Sequence, residues 1–453
     1  MVDTQGKTAP NSAASAKPQK PPNPVWRMMG LPNFRFKLPS RNWMIFLGIT
    51  GSWTAAVIYD RREKKRIQQK WTRLVEHIAQ EPLDERQMPR KVTVYLSAPP
   101  ADGLVSARDH FREYVQPILV AAALDWDAIE GRREGDVRAG LAERIRALRK
   151  KRGEPSAEPL EIDAQAILEE TRLRAGIRDW HGPGGDLVIG RHTWKEYVRG
   201  LHEGWLGPLD APTPVEEPVA LAAPTSEPPA ESPTSAYPST ADDGGAYPEA
   251  SKSEEAPKPK EEENKPKKKT QPPPFNTTAD YADSQISPNC PRALGPSTVV
   301  PFPHLLGFWN FPIRMYRFLN RRWLADEVGR ETAAAVLGAY RPYHPPGEPG
   351  AIIGDEETAQ SEWEQTGMLR FDESEWHKSA RERKEDDDRE RVWLDDMVID
   401  WRIGERMKRF ALDAETEERA KQVPIETRES LVTSLWPKKA EKKAWEGLSD
   451  DTA

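Results

Sequence analysis

The chain has 453 residues, of which 31% are charged and 37% hydrophobic, and its 43 prolines predict that part of it is disordered. A net charge of −7 speaks against a nucleic-acid binder, because such proteins are normally basic. A single cysteine excludes an intrachain disulfide framework and a cysteine-rich zinc module.

The first 42 residues form a basic leader, in which seven lysines and arginines stand against one acid, Asp3. Acid-poor basic leaders that contain serine and alanine are typical of mitochondrial targeting. The prolines of the leader speak against a regular amphipathic helix before Val25. We interpret residues 1–42 as a disordered, uncleaved targeting tail, and a disordered tail without a targeting role is the alternative.

An uncharged segment follows at residues 43–59. As a helix it would span about 26 Å, against about 30 Å for the hydrocarbon core of a bilayer. Aromatic residues stand at both of its ends, where aromatic belts belong, and both flanks are charged. These features favour a single transmembrane helix over a buried core helix or a cleaved signal peptide. The residues assigned to this anchor are Trp43, Ile45, Phe46, Leu47, Gly48, Gly51, Trp53, Val57 and Tyr59.

Residues 60–80 predict an amphipathic helix next to the membrane, because apolar residues from Ile67 to Ile78 recur at helical spacing. The first turns of this helix are basic, which suits contact with anionic lipid headgroups. The candidate headgroup contacts are Arg61, Arg62, Lys64, Lys65 and Arg66.

Strand and helix patterns alternate over residues 89–207. The predicted strands cover 91–97, 124–130 and 186–189, and the predicted helices cover 105–123, 136–151, 161–176 and 191–205. Alternation of this kind predicts an α/β domain with a parallel-type sheet and right-handed crossovers.

Residues 208–288 predict a disordered, proline-rich linker. Sixteen of the 67 residues from Pro208 to Pro274 are prolines, and such a composition cannot bury enough apolar surface to order itself. A second folded, helix-rich region is predicted at 289–448, with a helix over 325–339 and mostly charged helix over 375–420. Residues 449–453 are left as a tail.

The stretch from His304 to Trp323 is dense in aromatic residues and arginines. One interpretation is an interfacial element that faces a membrane or a protein partner. The other, which we prefer, is a helix whose aromatics face the domain core and whose arginines face water. The candidate partner-surface residues are Phe308, Trp309, Arg314, Tyr316, Arg317, Arg321 and Arg322.

The sequence lacks the common catalytic signatures. It contains no phosphate-binding P-loop, no HExxH, no GxSxG and no EF-hand loop. His181, His192 and His202 lie near one another in sequence but lack the carboxylate or cysteine pattern of a metal site. We therefore expect no catalytic, cofactor-binding or metal-binding residues.

Two short segments resemble the first domain of diacylglycerol and acylglycerol kinases. Pro100 and Gly103 match the turn after the first strand of that domain, but its asparagine and serine are replaced. The second motif of that domain, which begins at the end of the third predicted strand, is matched at some positions and replaced at others. Its matching positions are Thr193, Glu196, Gly200 and Leu201, whereas Ile189, Arg191 and His192 replace two glycines and an aspartate. The resemblance implies a retained fold with lost kinase activity, because phosphate binding needs those glycines and Mg²⁺ needs the carboxylate. Chance similarity between two sheet-and-helix units is the alternative.

A wider resemblance covers residues from about Trp26 to Lys443, apart from the proline-rich insert. It is carried by the anchor together with Val92-Thr-Val-Tyr-Leu, Phe111-Arg-Glu-Tyr-Val-Gln-Pro-Ile-Leu, Val188-Ile-Gly-Arg-His-Thr-Trp-Lys-Glu-Tyr and Ile313-Arg-Met-Tyr-Arg-Phe-Leu-Asn-Arg-Arg. These segments resemble the fungal family of fifty-four-kilodalton Tim subunits of the mitochondrial inner-membrane carrier translocase. The resemblance implies a non-enzymatic, single-pass subunit whose bulk lies in the intermembrane space.

The implied partners are pore-forming and other translocase subunits, the small Tim chaperones that carry polytopic precursors, and membrane lipids.

The basic residues near the anchor favour the opposite orientation, with the bulk of the chain in the matrix, because seven follow the anchor and four precede it within about 20 residues. We give the family topology precedence, since long soluble domains obey the positive-inside rule poorly. An active lipid kinase and an inner-membrane tether are the alternative functions.

Overall fold

The computed structural model describes residues 39–157, 164–178, 180, 182, 184–211, 272–345, 362–381 and 390–424. The predicted targeting tail up to residue 38, most of the predicted linker, and residues 425–453 lie outside the described residues. The chain divides into two units, Met1–Tyr59 and Asp60–Ala453.

The first unit is described from residue 39 onwards, as the beginning of helix α1, Arg41–Val75. Its side chains are exposed throughout residues 41–55. In the described part of the chain, no helix combines the length and the apolar character needed to cross a membrane. The predicted transmembrane helix over 43–59 is therefore not confirmed. The apolar stretch of α1 is short and interrupted by glycine, serine and threonine, and charged residues follow from Asp60.

The second unit is an α/β fold around one six-stranded sheet. Its strands are β1 Lys91–Ser97, β2 Asp125–Gly131, β3 Asp186–Ile189, β4 Pro296–Val300, β5 Tyr340–Pro342 and β6 Lys408–Phe410, in the spatial order β2-β1-β3-β4-β6-β5. All neighbours pair in parallel except β5 and β6, which are antiparallel. The predicted α/β class is thus confirmed, but the sheet is mixed. It takes strands from both predicted folded regions, 89–207 and 289–448.

The helices follow the same order along the chain. After β1 come α2 Leu104–His110, a π-helical turn Phe111–Val115 and α3 Gln116–Ala121, and after β2 come α4 Asp136–Lys151 and α5 Ala164–Arg174. Helix α6, Arg191–Leu206, follows β3, and α7 Phe311–Phe318 and α8 Arg321–Leu337 follow β4. Shorter helices complete the described chain, namely α9 Glu364–Gly367, α10 Lys378–Arg381, α11 Trp401–Gly404 and α12 Ala414–Gln422.

The central strands are apolar on both faces, and each face has its own hydrophobic cluster. Val92, Val94 and Leu96 point to one cluster, whereas Tyr95 points to the other, as the alternation of a strand requires. The first cluster is covered by the second half of α1, by α2 and α3, and by α8. The second is covered by α4 and α6. Parallel sheets need this cover on both sides.

The second half of α1 packs closely on α8. Trp71 is 2% exposed, and its Nε1 donates to Asp326 Oδ1 at 3.0 Å. The indole occupies the space in front of Gly329, where an added Cβ would lie 2.2 Å from Trp71 Cδ1. The predicted amphipathic helix over 60–80 therefore packs on the fold. It ends at Val75, and a 3₁₀ turn continues over Glu76–Gln80.

Helix α6 is buried along its whole length and is held by paired charges. Glu203 accepts from Arg138 and, at 2.6 Å, from Arg146, and both arginines lie on α4. The last part of the predicted linker closes over this network, because Phe275 N–H donates to Glu203 Oε1 at 3.2 Å. Residues 272–288, which the sequence placed in the linker, thus contribute buried side chains such as Tyr281.

The predicted charged helix over 375–420 is wrong for the described part of that range. Helix there is confined to α10, α11 and part of α12, and β6 lies between the last two. The reason is packing on α6. Trp393 Nε1 donates to Glu196 at 2.7 Å, and Asp400 N–H donates to His202 Nε2 at 2.9 Å. These long-range contacts outweigh the local helix preference of a charged sequence.

We expect Gly329→Ala to destabilise the chain, although alanine is a better helix former by about 1 kcal/mol. The new methyl group collides with Trp71, and overpacking of a core costs about 1–3 kcal/mol. Urea unfolding of the detergent-solubilised chain measures the change.

Gly140→Ala is the matched control, since a Cβ there meets only Ile129 Cγ2, at 3.9 Å. It should stabilise the chain by about 0.4–1 kcal/mol. A Gly329→Ala chain as stable as the Gly140→Ala chain would contradict the packing of α1 on α8.

Candidate interaction surface

The crevice at the carboxyl ends of β1 and β3 is where α/β sheets usually bind ligands. Gly190, directly after β3, has φ +86°, a conformation that favours glycine. His192 Nε2 lies 3.2 Å from Ser97 O, the last carbonyl of β1. The imidazole and Phe302 are both buried there, and a Cβ on Gly190 would lie 2.8 Å from His192 Cε1. Side chains of the protein therefore fill the crevice.

The charges around this crevice do not suit a nucleotide phosphate. Burial lowers the pKa of His192 to about 4, so that its imidazole is neutral at physiological pH. The Arg191 guanidinium donates to Glu373 Oε1 at 2.8 Å and to Met368 O at 2.9 Å. Two of the three residues that replace positions of the second kinase motif, Arg191 and His192, thus make internal contacts.

The residues that match the kinase motif serve packing. Glu196 is fully buried and accepts from Val137 N–H at 3.0 Å, and burial raises its pKa to about 7. An added Cβ on Gly200 would lie 2.9 Å from Arg138 O, so that only glycine allows α6 this close to α4. These two residues therefore join α6 to α4.

A different feature stands out on the exterior, and we call it the aromatic surface. It consists of six exposed apolar side chains from α7 and its flanks, namely Phe308, Trp309, Phe311, Ile313, Tyr316 and Trp323. Phe308 and Trp309 are 86% and 91% exposed, and α7 has no buried residue. The preferred prediction, that these aromatics face the core, is wrong. Contiguous exposed apolar patches mark interaction sites.

The predicted arginines of this region divide into two groups. Arg317, Arg321 and Arg322 make ion pairs with Glu375, Glu113 and Asp60. Arg314 is exposed and makes no ion pair with any described residue. Arg314 is therefore the member of the predicted set that is available to a partner.

The basic run after the anchor divides in the same way. Lys64 pairs with Glu113 and lies 4.3 Å from the centre of the Tyr114 ring, so that it belongs to the fold. Arg61 and Lys65 are exposed and make no ion pair with residues in the described ranges. Arg62 is half-buried, and Arg66 lies 3.7 Å from Glu63. Two of the five predicted headgroup contacts are thus fully available.

Asp60 fixes the aromatic surface to the start of the second unit. Its carboxylate is 3% exposed and accepts from the backbone N–H and from Nη1 of Arg322, each at 3.3 Å. Arg322 lies in the first turn of α8, where free N–H groups favour a carboxylate. Trp323 follows directly and contacts Tyr316, with ring centres 6.2 Å apart.

Sequence reasoning missed Asp60, Phe311, Ile313 and Trp323. A signal existed for each, because Asp60 is an acid beside a basic run, and the other three lie within the aromatic-rich stretch from His304 to Trp323. The apolar face of a short amphipathic helix can cover a core or meet a partner, and its sequence alone does not decide between them.

A buried carboxyl lies behind α7 in the 3₁₀ turn Arg370–Glu375. Asp372 is 4% exposed, and neither of its oxygens has a hydrogen-bond partner among the described residues. Burial and the nearby Glu375 raise its pKa to about 7, with a smaller contribution from Glu327, and Arg317 and Arg191 oppose the shift. A carboxyl with a raised pKa stabilises the fold when it is protonated, and this stability is lost as the pH rises.

We expect Asp372→Asn to remove a pH dependence of stability. In the parent chain, unfolding free energy should fall between about pH 4 and pH 7 by at most about 1.4 kcal/mol per pH unit. The asparagine variant should lack this loss and be the more stable chain at pH 8. Thermal melting of the parent chain and of the Asp372→Asn chain at pH 5 and pH 8 measures this pH dependence of stability. Asp283→Asn, the same change at an exposed site, is the control, and parallel pH curves for parent and Asp372→Asn would contradict the assignment.

Comparison with known proteins assigns the chain to a family. A model of the family described as "Inner membrane protein import complex subunit Tim54" matches residues 23–410. A mitochondrial import inner membrane translocase subunit tim54 from Aspergillus oryzae is 49% identical, over 87% of this chain and 89% of its own length.

More distant fungi have similar proteins. The subunit of the same name from Neurospora crassa is 45% identical over 90% of this chain and 85% of its own length. The one from Saccharomyces cerevisiae is 27% identical over 86% of this chain and 95% of its own length. The predicted family is thereby confirmed, and the chain belongs to the Tim54 family of inner membrane protein import complex subunits.

Proposed function

We propose that the chain is a non-catalytic subunit of the mitochondrial inner-membrane carrier translocase. In this role it supports assembly of the complex and insertion of polytopic inner-membrane proteins. The observation that carries the proposal is the family match over residues 23–410. The relatives are named as subunits of an import translocase. The more specific role, in the insertion of carrier proteins, is implied by the family resemblance.

The internal contacts of the crevice support a non-catalytic role. His192 and Phe302 fill the place where a nucleotide would bind, and Arg191 is paired with Glu373. These contacts disfavour the alternative of an acylglycerol-kinase-type enzyme. Phosphorylation of diacylglycerol by the purified chain with ATP would overturn the non-catalytic assignment.

We further propose a single membrane anchor at residues 43–59, with the amino terminus in the matrix and the bulk of the chain in the intermembrane space. Exposed apolar side chains such as Ile45 and Ile49 support membrane contact of this segment. Protease added to mitochondria with a ruptured outer membrane tests the orientation. Protection of a tag at Ala453, with the inner membrane intact, would contradict it.

The proposed partners are the pore-forming and other subunits of the translocase and the small Tim chaperones of the intermembrane space. We expect affinity purification of the tagged full chain from mild-detergent extracts to recover these proteins as the dominant partners. Quantitative mass spectrometry measures the recovery, with an untagged strain as the control. A partner list dominated by inner-membrane proteins outside protein import would favour a tether instead.

We expect Gly51→Arg to release the chain from the membrane. A charge in the middle of a spanning helix costs about 2.5–3.5 kcal/mol on the insertion scale. Alkaline carbonate extraction followed by blotting of pellet and supernatant measures this release.

Gly295→Arg is the matched control, because Gly295 is exposed and has open space around it. It adds the same charge outside the proposed anchor and should stay in the pellet. A Gly51→Arg chain that pellets as firmly as the Gly295→Arg chain would show that residues 43–59 do not span the membrane.

A further inference from the structure

The aromatic surface lies on a segment that combines apolar and cationic side chains and has no acid of its own. Residues 308–323 include no aspartate or glutamate. Trp309 and Phe308 are its most exposed members, and Arg314 stands among them without an ion pair to a described residue. Aromatic rings with neighbouring arginines are the composition found at the boundary between headgroups and acyl chains of a bilayer.

The exposure of these rings does not come from a loosely held segment. Arg317 forms a two-pronged ion pair with Glu375, and Arg322 is bound to the buried Asp60. Asn310 Nδ2 donates to Leu306 O at 2.7 Å at the start of α7. The protein therefore holds the aromatic surface outward by specific interactions, at the cost of exposing six apolar side chains.

The chain itself indicates which occupant covers this surface. Asp60, which anchors the surface through Arg322, is the residue directly after the apolar segment 43–59. When that segment enters a bilayer, covalent linkage keeps Asp60 at the membrane surface. Arg61 and Lys65, the two available cations of the basic run, belong to the same stretch of chain.

We propose that the aromatic surface, together with Arg314, Arg61 and Lys65, docks on the headgroup region of an anionic phospholipid bilayer. The inference rests on the proposed membrane anchor and goes beyond it, because it gives the folded unit a second contact with the same membrane. The rings of Trp309 and Phe308 enter the interface, and Arg314 binds lipid phosphate. Each basic residue near such a surface contributes about fivefold to binding, or about 1 kcal/mol.

The test uses the full chain reconstituted into vesicles, with its one native thiol removed by Cys290→Ser. Single cysteines are then introduced as Trp309→Cys, Trp401→Cys and Thr50→Cys, and each is labelled with an environment-sensitive fluorophore. Trp401 is the matched control, because it is also exposed, at 63%, but lies on α11, whose Ile403 belongs to the second hydrophobic cluster. Nitroxide-labelled phosphatidylcholine quenches labels that contact lipid.

We expect strong quenching at position 309 and weak quenching at position 401 in vesicles of phosphatidylcholine and phosphatidylglycerol. The difference should shrink in pure phosphatidylcholine. Arg314→Gln should lower the ratio of docked to undocked chains by about fivefold. Arg174→Gln, which removes a charge from a 77% exposed side chain on α5, should leave it unchanged.

The remaining outcomes distinguish a failure of the proposed anchor from a failure of the proposed docking. Quenching at neither position 309 nor position 50 would refute the proposed anchor, and the inference would fall with it. Quenching at position 50 with equal, weak quenching at 309 and 401 would overturn the docking alone. So would quenching at 309 that is independent of phosphatidylglycerol and of Arg314. A photoreactive residue at position 309 that crosslinks to a protein instead of lipid in mitochondrial membranes would assign the surface to a protein partner.

Discussion

The need to cover both faces of a mostly parallel sheet governs this structure. Val94 and Leu187 point to one face and Val188 to the other, so neither face can be left to water. One face is completed by the second half of α1, through Trp71 against Gly329. The segment next to the proposed anchor is therefore part of the core. This arrangement explains why Lys64 and Asp60 are bound to the fold rather than directed at lipid.

Charged side chains are buried in the helical layer formed by α4 and α6. Helix α6 carries Arg199 and Glu203 among its buried residues, and each is paired with a residue from elsewhere in the chain. Removing one member of a buried pair is costly, because the remaining charge has no partner. Such pairs favour one packing of α4, α6 and the segment around Phe275 over others. A chain with 31% charged residues can in this way still form an ordered interior.

Local sequence patterns located β1, β3 and α4 and missed the two shortest strands. The bounds of β1, β3 and α4 agree with the predicted 91–97, 186–189 and 136–151, because alternation and helical spacing are strong there. Strands β5 and β6 have three residues each and are defined by their neighbours in the sheet, a long-range effect that no local window contains.

The aromatic surface was harder to interpret, since the same composition suits a core and an interface. What decides between them is the position of α7 outside both hydrophobic clusters, and this position follows from tertiary structure.

The place of β6 in the sheet has a consequence for how the chain reaches its folded state. This strand comes last in sequence but lies between β4 and β5, and its Phe410 enters the same cluster as Trp71. A polypeptide delivered through a pore with its amino end first emerges with this cluster incomplete. The leading strands must wait for the trailing end of the chain before the sheet can close, and non-local pairing of this kind is slow. Vectorial synthesis or import thus leaves an apolar intermediate exposed for the whole time that the chain is in transit.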